Sequence, residues 1–205
     1  MQIEPVFPLP SPVPPSITPT SPELARGYRC RVFLGSARPE WMRRIATLRF
    51  DVWTAKVPEL GELFPERRWC DATDDSSHHL AVFSSTGEIV ATTRVTVASQ
   101  MADLPDSWRW NLDGGHVPTG PVAWLARKVV APAHAGQGIA SFLFDHQQDV
   151  AARLGADHVV FRVAKSRAAY LRDHGYTQLG SAQPGIPLSM IDFVPFARWV
   201  GDRLS

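Results

Sequence analysis

Two cysteines in 205 residues, Cys30 and Cys70, are too few for a disulfide framework and lack the spacing of a zinc site. They read as free thiols of a cytoplasmic protein. No apolar run approaches the roughly 18–20 residues that cross a bilayer as a helix, so no membrane span is expected. Neither sign of charge is in excess: 21 Lys and Arg face 20 Asp and Glu, and a net charge of +1 makes no electrostatic case for nucleic acid or an anionic membrane. There is no internal repeat. A basic leader is missing too, since residues 1–23 hold eight of the 18 prolines and only acidic charges, which fits neither a signal nor a transit peptide. Residues 1–25 read as a polyproline-like tail and residues 26–205 as one domain. With 44% hydrophobic and 20% charged residues, that domain can bury a core without metal or disulfides.

Periodicity orders the elements. Tyr28 to Gly35 alternates as a strand does, and the stretch after it places Trp41, Ile45, Leu48 and Val52 on one helical face. A long loop containing Pro58, Gly61 and Pro65 follows and is expected to be mobile. "HHLAVFSS" and "EIVATTRVTVA" flank Thr86-Gly87 as a hairpin of half-buried strands, and a Trp- and Gly-rich excursion spans Ser99 to Pro121. "VAWLARKVVAP", a glycine turn, a helix and "DHVVFRVA" then make a βαβ crossover with a parallel pair. A short helix closed by Gly175, a strand at "IPLSMIDFV" and a short C-terminal helix complete the chain. The order predicts an α/β (α+β) domain with a mixed sheet.

The stretch "VVAPAHAGQGIASFL", Val129 to Leu143, reads as buried strand, tight turn, helix. Gly136 and Gly138 free the turn for positive φ and close backbone approach, and the helix start offers unpaired N–H groups in a positive dipole field. An anion is the natural guest. A P-loop would need Lys and Ser or Thr after Gly138, and a dinucleotide turn would need a third glycine early in the chain; neither is present. The pyrophosphate of an acyl-coenzyme A, held by backbone amides, remains.

At these residues the chain resembles the GNAT family of N-acyltransferases, from about Tyr28 to Val194. Gly138 and Ala140 match the family's turn, whereas Ala135 stands where Arg or Gln is usual. The resemblance implies a single domain with a mostly antiparallel sheet, a central parallel strand pair and flanking helices. It implies acetyl-CoA or another acyl-CoA as donor, held by Lys128, Val129, Val130, Ala135, Gly136, Gln137, Gly138, Ile139 and Ala140. Direct attack of an amine would give a tetrahedral intermediate whose oxyanion meets a main-chain N–H of Val129 or Val130.

Residues 49–127 are also similar to the acyl-homoserine-lactone synthases and N-acyl amino acid synthases, through Arg49, Asp71, Asp74, Arg94 and Arg127. Trp69 and Trp124 stand where that branch carries carboxylates. The physical chemistry permits two readings. Asp71 and Asp74 pair with Arg49 and Arg94 and pin the loop to the domain. Alternatively the acids bind an acceptor's ammonium while Arg94 or Arg127 holds its carboxylate, beside Trp124. This branch implies acyl carrier protein as an alternative donor and longer acyl chains.

Acyl transfer to an amine needs a proton acceptor and a donor to the leaving thiolate. His78 and His79 point to opposite faces of a strand start, so one looks inward, and His79 is the candidate base against a reading as surface polarity. The family's tyrosine slot holds Leu171; Tyr170, one residue away, and His174 are the candidate acids, with a packing aromatic as the plain alternative for Tyr170. His116 and His134 lie in loops near the turn, and Trp108, Trp110 and Trp124 read as core or pocket wall. No metal site is expected, because adjacent histidines on a strand cannot share an ion. The acceptor reads as a small-molecule amine, an amino acid or a peptide; the alternative outside enzymology is a coenzyme A-binding adaptor offering its tail to a partner.

Overall fold

The computed structural model describes residues 27–105, 110, 112, 113, 117–185 and 191–201. The expected tail, Trp108 and His116 lie outside these. The element order is β1 (Arg29–Leu34), α1 (Pro39–Thr54), α2 (Leu60–Leu63), β2 (His78–Phe83), β3 (Ile89–Ala98), β4 (Val122–Val130), α3 (Ile139–Arg153), β5 (His158–Ala164), α4 (Ala168–Asp173), β6 (Thr177–Gln178), β7 (Gln183–Pro184) and β8 (Asp192–Trp199). One sheet runs β1-β2-β3-β4-β5-β8-β6, with β7 beside β8. Among the described residues only β4 and β5 pair in parallel, joined by the α3 crossover, as the βαβ reading requires.

Both sheet faces are covered. α3 and α4 pack on one, over a core that includes Leu80, Val82, Val95, Leu125, Leu143 and Phe196. α1 covers the β1–β2 end of the other face through Met42 and Ile45 against Phe33 and Ala81. Leu104, Trp110 and Leu179 close its remainder over Trp124. The first eight residues of β3 are therefore buried on both sides, where alternation suggested a half-buried strand. The late strand occupies Asp192–Trp199; residues 186–190 of the expected strand lie outside the described residues, as do residues 202–205, where the expected C-terminal helix would continue from a helical turn at Gly201. Pairing with β5 and β6 recruits "PFAR" into the sheet, an interaction that local spacing cannot register.

The buried face of α1 also departs from the expected one. Met42, Ile45, Ala46, Arg49, Phe50 and Val52 are buried, while Trp41 and Leu48 are half-buried. Arg49 sits inside because Asp74 awaits it, both carboxylate oxygens lying 2.9 Å from Nη1. Asp74 also takes Arg94 Nη1 at 3.0 Å, and Asp71 takes Arg94 Nη1 and Arg127 Nη2 at 2.6 Å each. These ion pairs fasten the 57–77 loop, and Trp69 packs it down: it is buried with Phe50, Val57 and Leu60, and its backbone N–H donates to Ala46 O at 3.0 Å. Gly35 lets the loop come close, since a Cβ there would lie 2.0 Å from Asp74 O.

His79 lies beneath the loop with no exposed surface. Its Nε2–H donates to Asp74 O at 2.9 Å, leaving Nδ1 to accept from Arg49 Nη2 at 3.2 Å. Burial and the Arg49 charge lower its pKa to about 4. Burial opposes ionisation of Asp74 and Asp71, but the arginines outweigh it and hold both carboxyls below their usual range.

Asp74→Asn leaves Arg49 buried without a carboxylate partner and Arg94 with Asp71 alone; a loss of about 3–5 kcal/mol in urea unfolding is the expected result. Acid should act in two stages, because the unfolded chain binds protons at higher pH than the folded chain does. Stability is complete above about pH 6.5, falls by about 1.4 kcal/mol per pH unit towards pH 4 as His79 binds a proton only when unfolded, and falls again below that as the aspartates protonate. His79→Gln should abolish the first stage in unfolding curves taken at pH 7 and pH 4.5.

Candidate active site

β4 and β5 pair only over Val122–Trp124 and His158–Val160. Beyond Trp124 the strands separate, and a cavity of about 630 Å³ opens between them. Trp124 to Lys128 line it from β4 and Phe161 to Ala164 from β5; α3 adds Ala140, Phe144 and Gln147.

A bulge in β4 divides its residues between the two sheet faces. Arg94 pairs with Ala126, but Thr92 pairs with Val129, so Thr93 opposes both Arg127 and Lys128. Arg127 takes the extra-residue conformation at φ 58°, unusual for a residue with a side chain. Before the bulge, Ala123 and Leu125 face α3; after it, Lys128 and Val130 do. Arg127 is thereby sent to the opposite face, where its guanidinium lies 4.8 Å from the Trp69 ring centre. Thr93 Oγ1 ties the bulge to α3, lying 2.6 Å from Gln147 Oε1 and 3.1 Å from Ala126 O.

At the α3 end of the cleft, Gly136 and Gly138 adopt φ of 77° and 74°, and a Cβ on either would meet no atom within 4 Å. Left-handed backbone rather than crowding thus calls for glycine, and the turn stands open to a ligand. The first internal bond of α3 is Phe142 N–H to Gly138 O at 3.0 Å, so the N–H groups of Ile139, Ala140 and Ser141 precede it. Ile139 is buried and anchors the helix, Ala140 and Ser141 border the cavity, and Ala135, Gly136 and Gln137 are exposed. Tyr28 Oη, 2.7 Å from His134 Nδ1, ties the entry to β1. Val129 is buried and paired with Thr92, and Val130 pairs with Ala91. Open glycine backbone, leading N–H groups and an adjoining cleft fit the diphosphate and pantetheine arm of a coenzyme A thioester.

Lys128 keeps part of its surface open to the cleft, while its ammonium lies 4.5 Å from the Phe144 ring centre. The walls around that ammonium, and then Arg167, lower its pKa to about 8. On the opposite face, Arg127 and Trp124 line the cavity and Asp71 is partly exposed, whereas Arg49, Asp74 and Arg94 are buried away from it. Both carboxylates are engaged by arginines.

The structure separates the acid and base candidates. His79 is sealed under the loop with both ring nitrogens engaged, so it does not face the cleft. Tyr170 borders the cavity and is 56% exposed, because Leu171 takes the inward position on α4. His174 stacks on the Tyr170 ring with centroids 3.9 Å apart, and its Nδ1–H donates to Tyr170 O at 2.7 Å. Among the described residues, no three His, Cys, Asp or Glu gather as a metal site. Phe144 and Gln147 were legible as the i+4 and i+7 positions after Ala140. Trp53, Arg162 and Phe193 also border the cavity and carry no local signal, because strand splay and tertiary packing bring them there.

Residues 42–176 match the acetyltransferase (GNAT) family. No curated protein matches the chain. Among solved structures, a putative N-acetyltransferase from Lactobacillus plantarum superposes with a TM-score of 0.60 at 14% identity, covering 85% of this chain and 99% of that one. A CoA-dependent acyl-homoserine lactone synthase, BjaI, described with SAM and isopentyl-CoA, gives 0.68 at 14% identity over 86% and 85%. Another such synthase, MesI, gives 0.59 at 20% identity over 84% and 89%. With two thirds of its length matched by the family and a splayed cleft beside a glycine turn, the chain belongs to the acetyltransferase (GNAT) family and is an acyltransferase.

Proposed function

We propose that the protein moves an acyl group, most simply acetyl, from acyl-CoA to the amine of a small molecule or peptide by direct attack. The observation that carries this reading is the junction of the open turn at Gly136–Gly138 with the cleft between β4 and β5. Leading N–H groups of α3 would hold the diphosphate, and the free edge of β4 would pair with the pantetheine amides. The thioester would then lie near the bulge. A main-chain N–H of the β4 edge that β5 leaves free, at Val129 or Val130 or at the bulge of Arg127 and Lys128, would meet the oxyanion. Tyr170 at the cleft rim would protonate the departing thiolate, with His174 fixing the ring.

A second reading is transfer of a longer acyl chain, from acyl-CoA or acyl carrier protein, to an amino acid-like amine. It is favoured by the aromatic surfaces of Trp53, Trp69, Trp124 and Phe193, which extend the cavity across the sheet. Octanoyl-CoA binding more tightly than acetyl-CoA in calorimetry would select it.

Gly138→Val puts a β-branched residue at positive φ, where a fold-competent variant should bind acetyl-CoA at least about 10-fold more weakly by calorimetry. Equal binding would place the diphosphate elsewhere. Tyr170→Phe should lower kcat by about 10- to 100-fold and leave KM within about twofold, the pattern of a group acting only in the chemical step.

A further inference from the structure

We propose that Lys128 is the base of this enzyme, its neutral Nζ taking the proton from the acceptor nitrogen as that nitrogen attacks the thioester. The inference rests on the acyl-transfer reading above and deepens it. Direct attack leaves a proton to be removed, and His79, the base suggested by residue type, is sealed from the cleft with both nitrogens occupied.

The charged and titratable groups facing the cavity are Arg127, Lys128, Asp145, Arg162, Arg167 and Tyr170. Arginines stay protonated and cannot accept. Arg127 is further committed to Asp71. Tyr170 carries a phenol proton and is suited to giving one. Asp145, one residue beyond Phe144 on α3, supplies Lys128 with its nearby opposite charge. Lys128 is thus the cleft amine that can exchange a proton near neutral pH.

Its placement has a structural cause. The extra residue in β4 turns Lys128 to the α3 face, against Phe144, immediately beside the bulge. Loss of hydration between β4 and α3 and the Arg167 charge disfavour the ammonium, against the opposing pull of Asp145 and of the Phe144 ring face.

The steps balance. The acceptor nitrogen forms a bond to the thioester carbon as the carbonyl π pair moves to oxygen. Lys128 Nζ then takes the proton of the new, more acidic N⁺–H. The carbonyl re-forms, the C–S bond breaks, and the thiolate takes the phenol proton of Tyr170. Solvent at the open side of the cleft returns Lys128 and Tyr170 to their starting states.

The test compares Lys128→Met and Lys128→Arg with wild type, reading thiol release across amine acceptors from pH 6 to 9.5 and acetyl-CoA binding by calorimetry. Both variants should bind acetyl-CoA within about threefold of wild type yet lose at least about 100-fold in kcat, and the rise in rate near pH 8 should vanish. Activity retained by Lys128→Arg would overturn the proposal in favour of a purely electrostatic role. Weaker acetyl-CoA binding with unchanged kcat would overturn it in favour of a donor contact. Failure of wild type to bind acetyl-CoA would instead strike the acyl-transfer reading.

A measurement independent of turnover uses trace labelling by acetic anhydride followed by peptide mass spectrometry. The chain has three lysines, Lys56, Lys128 and Lys165, so each is read separately. Lys128 reactivity should rise with a midpoint near pH 8; a midpoint in the ordinary lysine range near pH 10.4 would overturn the proposal.

Discussion

The end of β4–β5 pairing at Trp124 is the constraint on which the rest of the molecule depends. A parallel sheet continued to Val130 would have no cleft. The bulge at Arg127–Lys128 works on the same strand from the other side: pairing with β3 persists through it, yet the side chains exchange faces. Lys128 then lies under α3 against Phe144, and Arg127 faces Trp69 in the loop after α2. A single extra residue thereby sends two adjacent basic side chains of one cavity to opposite faces of the sheet.

Holding a non-glycine residue in left-handed backbone costs energy, and the structure supplies an anchor at that point. Arg127 is fixed by Asp71 and by Trp69, both in the loop after α2. That loop is in turn fixed through Asp74 to Arg49 on α1 and Arg94 on β3. Three guanidiniums meet two carboxylates, with a neutral histidine closing the cluster from below. Such a buried set is weak as a source of net stability, since removing the charges from water offsets most of their attraction. Its geometric effect is specific: it makes the loop, the bulge and the first helix one rigid unit.

The α/β order, the crossover helix and the glycine turn were legible because each has a local signal: period, turn residues, a helix start. The pairing of Asp71 and Asp74 with arginines was legible from complementary charge. Arg49 could not be placed from the helical pattern of α1, because a charged residue joins an apolar face only when a partner distant in sequence awaits it. The bulge was illegible for a related reason, as Arg127 carries none of the glycine signature of left-handed backbone. β8 was misplaced because "PFARW" becomes strand only by pairing with β5, thirty-odd residues earlier. His79 looked like a base by residue type alone, and only the contacts of both ring nitrogens show that it is structural.

Hydrogen–deuterium exchange with and without acetyl-CoA tests most directly whether the turn and the cleft form one donor site. Protection should appear together in the peptides spanning 125–130 and 136–142 and be weak in β1 and β2. Exchange unchanged in both segments at saturating acetyl-CoA, or protection confined to another region, would contradict a donor seated between β4 and β5.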